Sequence, residues 1–306
     1  MPQAETISRI DSMRIGFTGS FYPVPANVEE DDIAEWQLQR AIELGCAVLQ
    51  VSTLPKDHMK LAEFGQLAQS KSIELELSAP GAFSLAGPFS DERGANRFRQ
   101  AIAYAKQLKM PVVRTAYGRL DVETSRFNQS FSIREHIEAL VPALQAAAKI
   151  AEDAGVRLAV ENHCDFTGRE LAQLLDAVDS AYVGAALDTG NGYTVFSDPN
   201  EDIEALAAYT FTTHIKDMKV VKSQAKGWIP LTAFGCVLGE GHVDIPKALS
   251  LLAQKSPRAD GLHLIVEPGW MIFDPTRDTA SQSEEYFRKS IYYLQSLQQN
   301  RGRAKI

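Results

Sequence analysis

The sequence predicts a closed (β/α)8 barrel. Two observations point there. Short apolar runs alternate with helical periods from end to end, eight strands with about eight helices. Strict alternation of this kind requires parallel strands joined by right-handed crossovers, and eight units suit closure better than an open doubly wound sheet. The second observation is an absence: no G-x-G-x-x-G follows the first apolar run, "RIGFTGSFYP", so the signature of a dinucleotide-binding open sheet is missing.

Residues 1–12 read as a short lead, and Met13–Phe17 as the first strand. "EEDDIAEWQLQRAIELG" follows as a helix, with acids in its first turn, apolar Ile33, Trp36, Leu38, Ala41 and Ile42, and a stop at Gly45. Val48–Val51, Ile73–Leu77 and Pro111–Val113 are the next strands. "IREHIEALVPALQAAAKIAEDAG" is a helix with apolar Ile133, Ile137, Leu140, Leu144, Ala147 and Ala151 before Gly155, and Pro142 is expected to kink it. Val156–Val160, Tyr182–Leu187, Phe211–Ile215 and Leu262–Val266 complete the strands, and "SEEYFRKSIYYLQSLQQ" is the closing helix. The long connection Met218–Val243 reads as an active-site loop, with Trp228 and Phe234 placed to cover the mouth. Residues 1–306 are therefore expected to form one domain.

Composition narrows the function. A net charge of −8 argues against nucleic acid as a partner, because such binders carry a basic face. Cys46, Cys164 and Cys236 are an odd number without a CxxC, which fits a reduced compartment rather than a disulfide framework. "MPQAETISRIDSM" has no apolar h-region, and no run approaches the roughly 18 apolar residues of a membrane span. A cytoplasmic enzyme with a small-molecule substrate is expected; a homo-oligomer is left open.

The ends of the last four strands carry the chemistry. They read "AVENH", "ALDTGN", "THIKD" and "IVEPGW", so Glu161, Asp188, His214 and Glu267 stand at the rim where barrels of this type place their active sites. Three carboxylates converging in a poorly solvated mouth need a compensating cation. One divalent ion supplies it, and three oxygens with one nitrogen suit Mn2+, Mg2+ or Co2+ better than a thiolate-type zinc site. Mn2+ is the expected ion, with Zn2+ a further alternative.

With "VENH", "LDTGN", "HIKD", "GEGHVD" and "IVEPG" the chain resembles the xylose isomerase-like barrel superfamily over roughly Met13 to Leu297. That superfamily holds sugar isomerases and epimerases, inosose dehydratase and endonuclease IV. The resemblance implies that Glu161, Asp188, His214 and Glu267 bind one catalytic metal. It also implies that Glu161 and Glu267 exchange protons with a substrate carbon, through an enediolate stabilised by the ion. The expected activity is isomerisation or epimerisation of a sugar or keto-sugar. The alternative is a lyase (dehydratase, decarboxylase or β-elimination enzyme) acting on a 3-keto-sugar or keto-inositol.

Departures from the family narrow this. Where ketose 3-epimerases carry a histidine, an arginine and a further glutamate, this chain has Asn191, Val220 and Thr167. It offers His163 and Lys216 instead, each two residues past a candidate ligand and so on the same side of an extended strand. His163 is expected to be an acid/base group with a pKa near 6.5, and Lys216 to bind an oxyanion or enolate oxygen. Arg114, Asn191, Glu240, His242 and Trp270 are the expected substrate contacts. In "GEGHVD", Gly239 and Gly241 permit a tight turn, and Asp244 is placed to cap a helix from Ile245 with Pro246 in its first turn. Glu240 and His242 fall where endonuclease IV keeps an Asp-x-His zinc pair. The histidines of its early strands are missing here: "LSAPG" and "VVRTA" end in other residues.

Overall fold

The computed structural model describes residues 3–79, 92–117, 122, 125–223 and 231–303. Eight parallel strands close a barrel: β1 (Arg14–Thr18), β2 (Val48–Val51), β3 (Glu74–Ser78), β4 (Val112–Ala116), β5 (Arg157–Glu161), β6 (Val183–Asp188), β7 (Thr210–Ile215) and, after the two strands of a hairpin, β10 (His263–Val266). β1 pairs with both β2 and β10, which seals the sheet. Five of the eight strands run one to three residues further toward their C-termini than the apolar runs suggest. The ladder continues through polar positions: Ala116 pairs with Glu161, and Asp188 with His214.

Helices α2 (Ile33–Glu43), α3 (His58–Ser70), α4 (Glu92–Gln107), α5 (Ile133–Ala154), α6 (Gly168–Val178), α7 (Pro199–Leu206), α8 (Ile245–Lys255) and α9 (Thr279–Arg303) follow the barrel strands. Their ends obey ordinary capping chemistry. Gly45 and Gly155 take φ of 66° and 69° at the predicted stops. Ser132 and Thr167 open capping boxes with Glu135 and Glu170, and Asp244 Oδ1 accepts from Lys247 N at 3.0 Å. Thr167, at a position where epimerases carry a glutamate, thus serves a helix start. α5 runs as one helix with Pro142 inside it.

Side chains alternate along each strand. One set, including Leu75, Leu158, Val160, Leu187, Leu264 and Val266, joins Leu140, Leu171, Leu249 and Phe287 of the helices in the main buried cluster. The other set faces inward and is unusually polar: Gln50, Glu76, Glu161, Asp188, Thr212, His214 and His263 are all buried.

Two segments differ from expectation. The lead contains a helix, α1 (Gln3–Ser12), whose Ile10 is fully buried. Met218–Val243 contains most of an antiparallel hairpin that starts one residue earlier, β8 (Asp217–Lys222) and β9 (Leu231–Cys236), in register from Asp217–Cys236 to Lys222–Leu231. Its β-branched Val220, Val221 and Thr232 fit paired strands, a signal the glycines and lysines obscure. Phe234 lies on β9, half-buried, and Trp228 is outside the described residues.

Beneath the hairpin, the carboxylate of Asp217 is fully buried. It accepts from Met218 N (2.8 Å), Gly239 N (2.9 Å), Gly241 N (2.9 Å) and Val243 N (3.1 Å). "GEGHVD" wraps this side chain. Gly239 has φ 87°, and a Cβ on Gly241 would stand 2.1 Å from Asp217 Oδ1.

Candidate metal centre

The β-ladder sets the height of the four candidate ligands. Glu161 on β5 lies opposite Ala186, two residues before Asp188, and Asp188 lies opposite His214 on β7. Glu267 follows β10 directly, and Tyr286 of α9 donates its hydroxyl to Glu267 O at 3.1 Å. Asn162, next to Glu161, donates to Asp188 O (2.9 Å) and accepts from Asp188 N (2.8 Å), which ties the tips of β5 and β6.

One ligand atom from each of Glu161, Asp188, His214 and Glu267 lies within 4.8 Å of every other, and all four residues are buried. Two ligands across an ion with bonds of about 2.0–2.6 Å stand this far apart. Glu161 Oε2, Asp188 Oδ2 and Glu267 Oε2 are buried without a hydrogen bond of good geometry. His214 Nδ1 lies 3.0 Å from Glu161 Oε1 and 2.9 Å from Glu267 Oε2. Buried carboxylate oxygens aimed at a common point beside an imidazole nitrogen form an O3N set that could hold a divalent cation.

The cluster holds two organic cations as well. Lys216, 3% exposed, places Nζ 2.7 Å from Asp188 Oδ2, 3.1 Å from Glu267 Oε2 and 2.9 Å from Asn191 Oδ1. Arg114 contacts Glu161 Oε2. Burial tends to lower the Lys216 pKa, but Asp188 and Glu267 outweigh it and the net direction is up. Burial raises Asp188, with Lys216 opposing. Burial also pushes Glu267 upward, but the His214 and Lys216 charges reverse that and hold it well below its usual value. Thr189 clamps Lys216: its Oγ1 donates to Lys216 O (2.7 Å) and accepts from Lys216 N (2.9 Å).

The other expected site residues divide. Asn191 is inside the cluster, with Nδ2 donating to Asn162 O at 3.0 Å and reaching Glu161 Oε1 at 3.4 Å. Trp270 stands at the rim, 41% exposed, with its ring centroid 4.8 Å from Lys216 Nζ. His163 lies just past the end of β5, in loop backbone held by Asp165 Oδ1 and Thr194 Oγ1, so strand alternation no longer fixes its direction. Burial, then the Lys216 and Arg114 charges, lower its pKa to about 4. That direction is away from the expected 6.5 and favours the neutral imidazole, which can accept a hydrogen bond. Glu240 and His242 are exposed on the turn around Asp217, and His242 Nδ1 accepts from Val220 N at 3.1 Å. The contact of His242 is with the hairpin.

Sequence reading passed over Gln50, Glu76, Thr212 and His263. Each is polar inside a short, mostly apolar strand, as in "VLQV" and "ELELS". That mismatch was the available signal.

Known proteins resemble the chain along most of its length. Residues 38–297 match a family model described as xylose isomerase-like TIM barrel. A 3-oxo-isoapionate decarboxylase of Pectobacterium atrosepticum is 25% identical over 262 residues, 84% of this chain and 85% of the relative. An L-ribulose 3-epimerase structure superposes with a TM-score of 0.68 at 18% identity, covering 95% of this chain and 96% of that one. A xylose isomerase-like TIM barrel protein from Mycobacterium smegmatis in complex with magnesium gives 0.68 at 16% identity, covering 95% and 98%. Likeness at these identities to the two structures speaks for the fold.

Proposed function

The chain belongs to the xylose isomerase-like TIM barrel family, and on that premise we propose that it is a divalent-metal-dependent lyase that decarboxylates an oxo-sugar acid. The observation that carries this reading is Lys216, an ammonium buried between Asp188 and Glu267, together with Arg114 on Glu161. A neutral sugar gives a buried ammonium and a half-buried guanidinium little to do. An anionic substrate gives both a partner, once the carboxylates they now neutralise are engaged with an ion. The decarboxylase relative points the same way.

Glu161, Asp188, His214 and Glu267 would hold the ion, with Mn2+ the first candidate. Bound there, it supplies Lewis acidity toward a keto oxygen. Arg114 is placed to orient the substrate carboxylate. As the bond to that carboxylate breaks, its electron pair moves toward the keto oxygen, CO2 departs, and Lys216 Nζ stabilises the charge that develops. Lys216 then returns a proton to the carbon and recovers one from solvent. Neutral His163 accepts a hydrogen bond from a substrate hydroxyl, and Trp270 covers Lys216 on the open side.

A second reading, sugar isomerisation or epimerisation, is favoured by Glu161 and Glu267, two carboxylates on different strands of one site. The test is product analysis with Mn2+ on 3-oxo-sugar acids and on neutral ketoses, followed by NMR in D2O. CO2 release from an oxo acid is expected. Proton exchange or epimerisation of a neutral ketose, with every oxo acid left intact, would replace the lyase reading by the second.

A further inference from the structure

Below the metal cluster, a line of buried polar side chains crosses the barrel interior. His214 Nε2, the nitrogen turned away from the carboxylates, lies 3.0 Å from Gln50 Oε1. Gln50 Nε2 donates to Glu76 Oε1 at 2.8 Å. Glu76 Oε2 accepts from Thr212 Oγ1 at 2.6 Å and pairs with His263 Nδ1 at 2.8 Å. His263 Nε2 pairs with Glu74 Oε2 at 2.7 Å, and Arg14 Nε meets Glu74 Oε1 at 2.9 Å. Gln50, Glu76, Thr212, His214 and His263 are at most 2% exposed.

Hydrogen-bond polarity fixes the direction of this line. An ionised carboxylate only accepts. Glu76 stays ionised: burial pushes its pKa up, but His263, Thr212 and Gln50 outweigh that and the net direction is down. Gln50 must therefore turn its amide NH2 to Glu76, and its amide oxygen then faces His214. An oxygen acceptor there requires a proton on His214 Nε2. In the neutral form that binds a metal, the lone pair of the imidazole then lies on Nδ1, the nitrogen beside Glu161 and Glu267. Metal-bound imidazoles are commonly oriented by a partner on the far nitrogen, and loss of such a partner typically costs metal affinity.

We infer that Gln50 is a positioning residue for the metal centre: it holds His214 in the Nε2–H form and aims Nδ1 at the ion, with its own amide direction set by Glu76 and His263. The inference rests on the metal-binding reading above and adds a residue five strands from His214 in chain order. Gln50 itself touches no candidate ligand other than His214 in the hydrogen bonds described.

Two measurements test it without reference to turnover. Isothermal titration with Mn2+ alone compares wild type, Gln50→Leu and Glu76→Gln. Both variants are expected to bind about 10–100-fold more weakly, the usual range for loss of an orienting partner, while keeping the far-UV CD of wild type. If Gln50→Leu fails to fold, the nearly isosteric Glu76→Gln carries the comparison. Long-range 1H–15N spectra of histidine-labelled, Mg2+-loaded protein read the tautomer. His214 should carry its proton on Nε2 in wild type and lose that single form in Gln50→Leu. A mere packing role for Gln50 would leave the tautomer signal in place. Wild type that binds no Mn2+ overturns the metal reading itself. Wild type that binds Mn2+, with affinity within twofold in both variants or with the proton on Nδ1, overturns this inference and leaves the metal reading standing.

Discussion

Lys216 Nζ and Asp188 Oδ2 are 2.7 Å apart at the junction of β6 and β7, and Asp188 is at once the partner of an ammonium and a candidate metal ligand. One carboxylate oxygen cannot serve both cations at full strength. Entry of an ion should loosen the Lys216 contact and free the ammonium for substrate. Lys216→Met is therefore expected to bind Mn2+ at least as tightly as wild type and to lose about 10²–10⁴ in kcat, the usual worth of a proton-transfer group. Calorimetry and steady-state kinetics check the two halves separately. Weaker Mn2+ binding in the variant would make Lys216 a support of the metal site.

Removing a ligand oxygen should have the opposite signature. Glu267→Gln and Asp188→Asn keep shape but take away a negative charge from a set of three. Each is expected to lower bound Mn2+ per chain well below one at micromolar metal, as read by elemental analysis after gel filtration. Full occupancy in both would remove the O3N cluster as the binding site.

How much of this was legible follows from where the signals lie. The barrel was readable because alternation is a property of the whole chain and survives errors of one residue at each end. The four candidate ligands were readable because polar residues ending apolar strands contradict a core. Lys216 was readable as a site residue by its place two after His214, and the structure sets it in the cluster. Glu240 and His242 were expected as substrate contacts because "GEGHVD" looks like a ligand motif; the structure shows both exposed on a turn whose glycines answer to the buried Asp217 carboxylate. Nothing local in "HIKD" says that Asp217 gathers three backbone amides from a segment more than twenty residues on. The interior line through Gln50 and Glu76 depends on which of eight strands face one another across the barrel, and no window of sequence carries that.

The Asp217 anchor makes a stability prediction. Asp217→Ala would leave the part-buried backbone N–H groups of Gly239 and Gly241 and the buried N–H of Val243 without their acceptor. Unmet buried donors cost about 1–3 kcal/mol each, partly relieved by water, so a loss of about 2–4 kcal/mol is expected in urea unfolding. Gly241→Ala should destabilise too, because its Cβ would collide with Asp217 Oδ1. Wild-type midpoints in both variants would show that the turn holds itself.

His163 offers a test of roles within the site. Its neighbours Asp165 and Thr194 hold its backbone, and Glu161 already reaches the cluster from that strand. His163→Asn is expected to keep metal content unchanged and to lower kcat by about 10², the low end for a general acid–base group. Loss of metal would make His163 a ligand support, and unchanged kcat a bystander.

The last prediction concerns pH and the base of the interior line. Burial alone would lower the pKa of His263, but Glu74 and Glu76 outweigh it, and the folded value is raised above 6.5. Glu74 lies below its usual 4.5 because of its hydrogen bond to His263, and Glu76 lies below 4.5 despite full burial. For a raised group the native state binds the extra proton, so its stabilisation is complete below pH 6.5 and fades as pH climbs through the folded value. For the lowered glutamates the contribution is complete above pH 4.5 and fades as pH falls through their folded values. Both are whole only between about pH 4.5 and 6.5. The reference is the double variant His263→Asn/Glu76→Gln, which removes the histidine without stranding a buried carboxylate. Relative to it, metal-free wild type should lose unfolding free energy as pH rises above 6.5, with a slope approaching about 1.4 kcal/mol per pH unit for one proton. Urea titrations of both proteins from pH 5 to 9 in chelator measure the difference. A difference that stays flat across this range, or that grows with pH, would mean His263 is neutral in the fold and that Glu76 owes its charge to Thr212 and Gln50 alone.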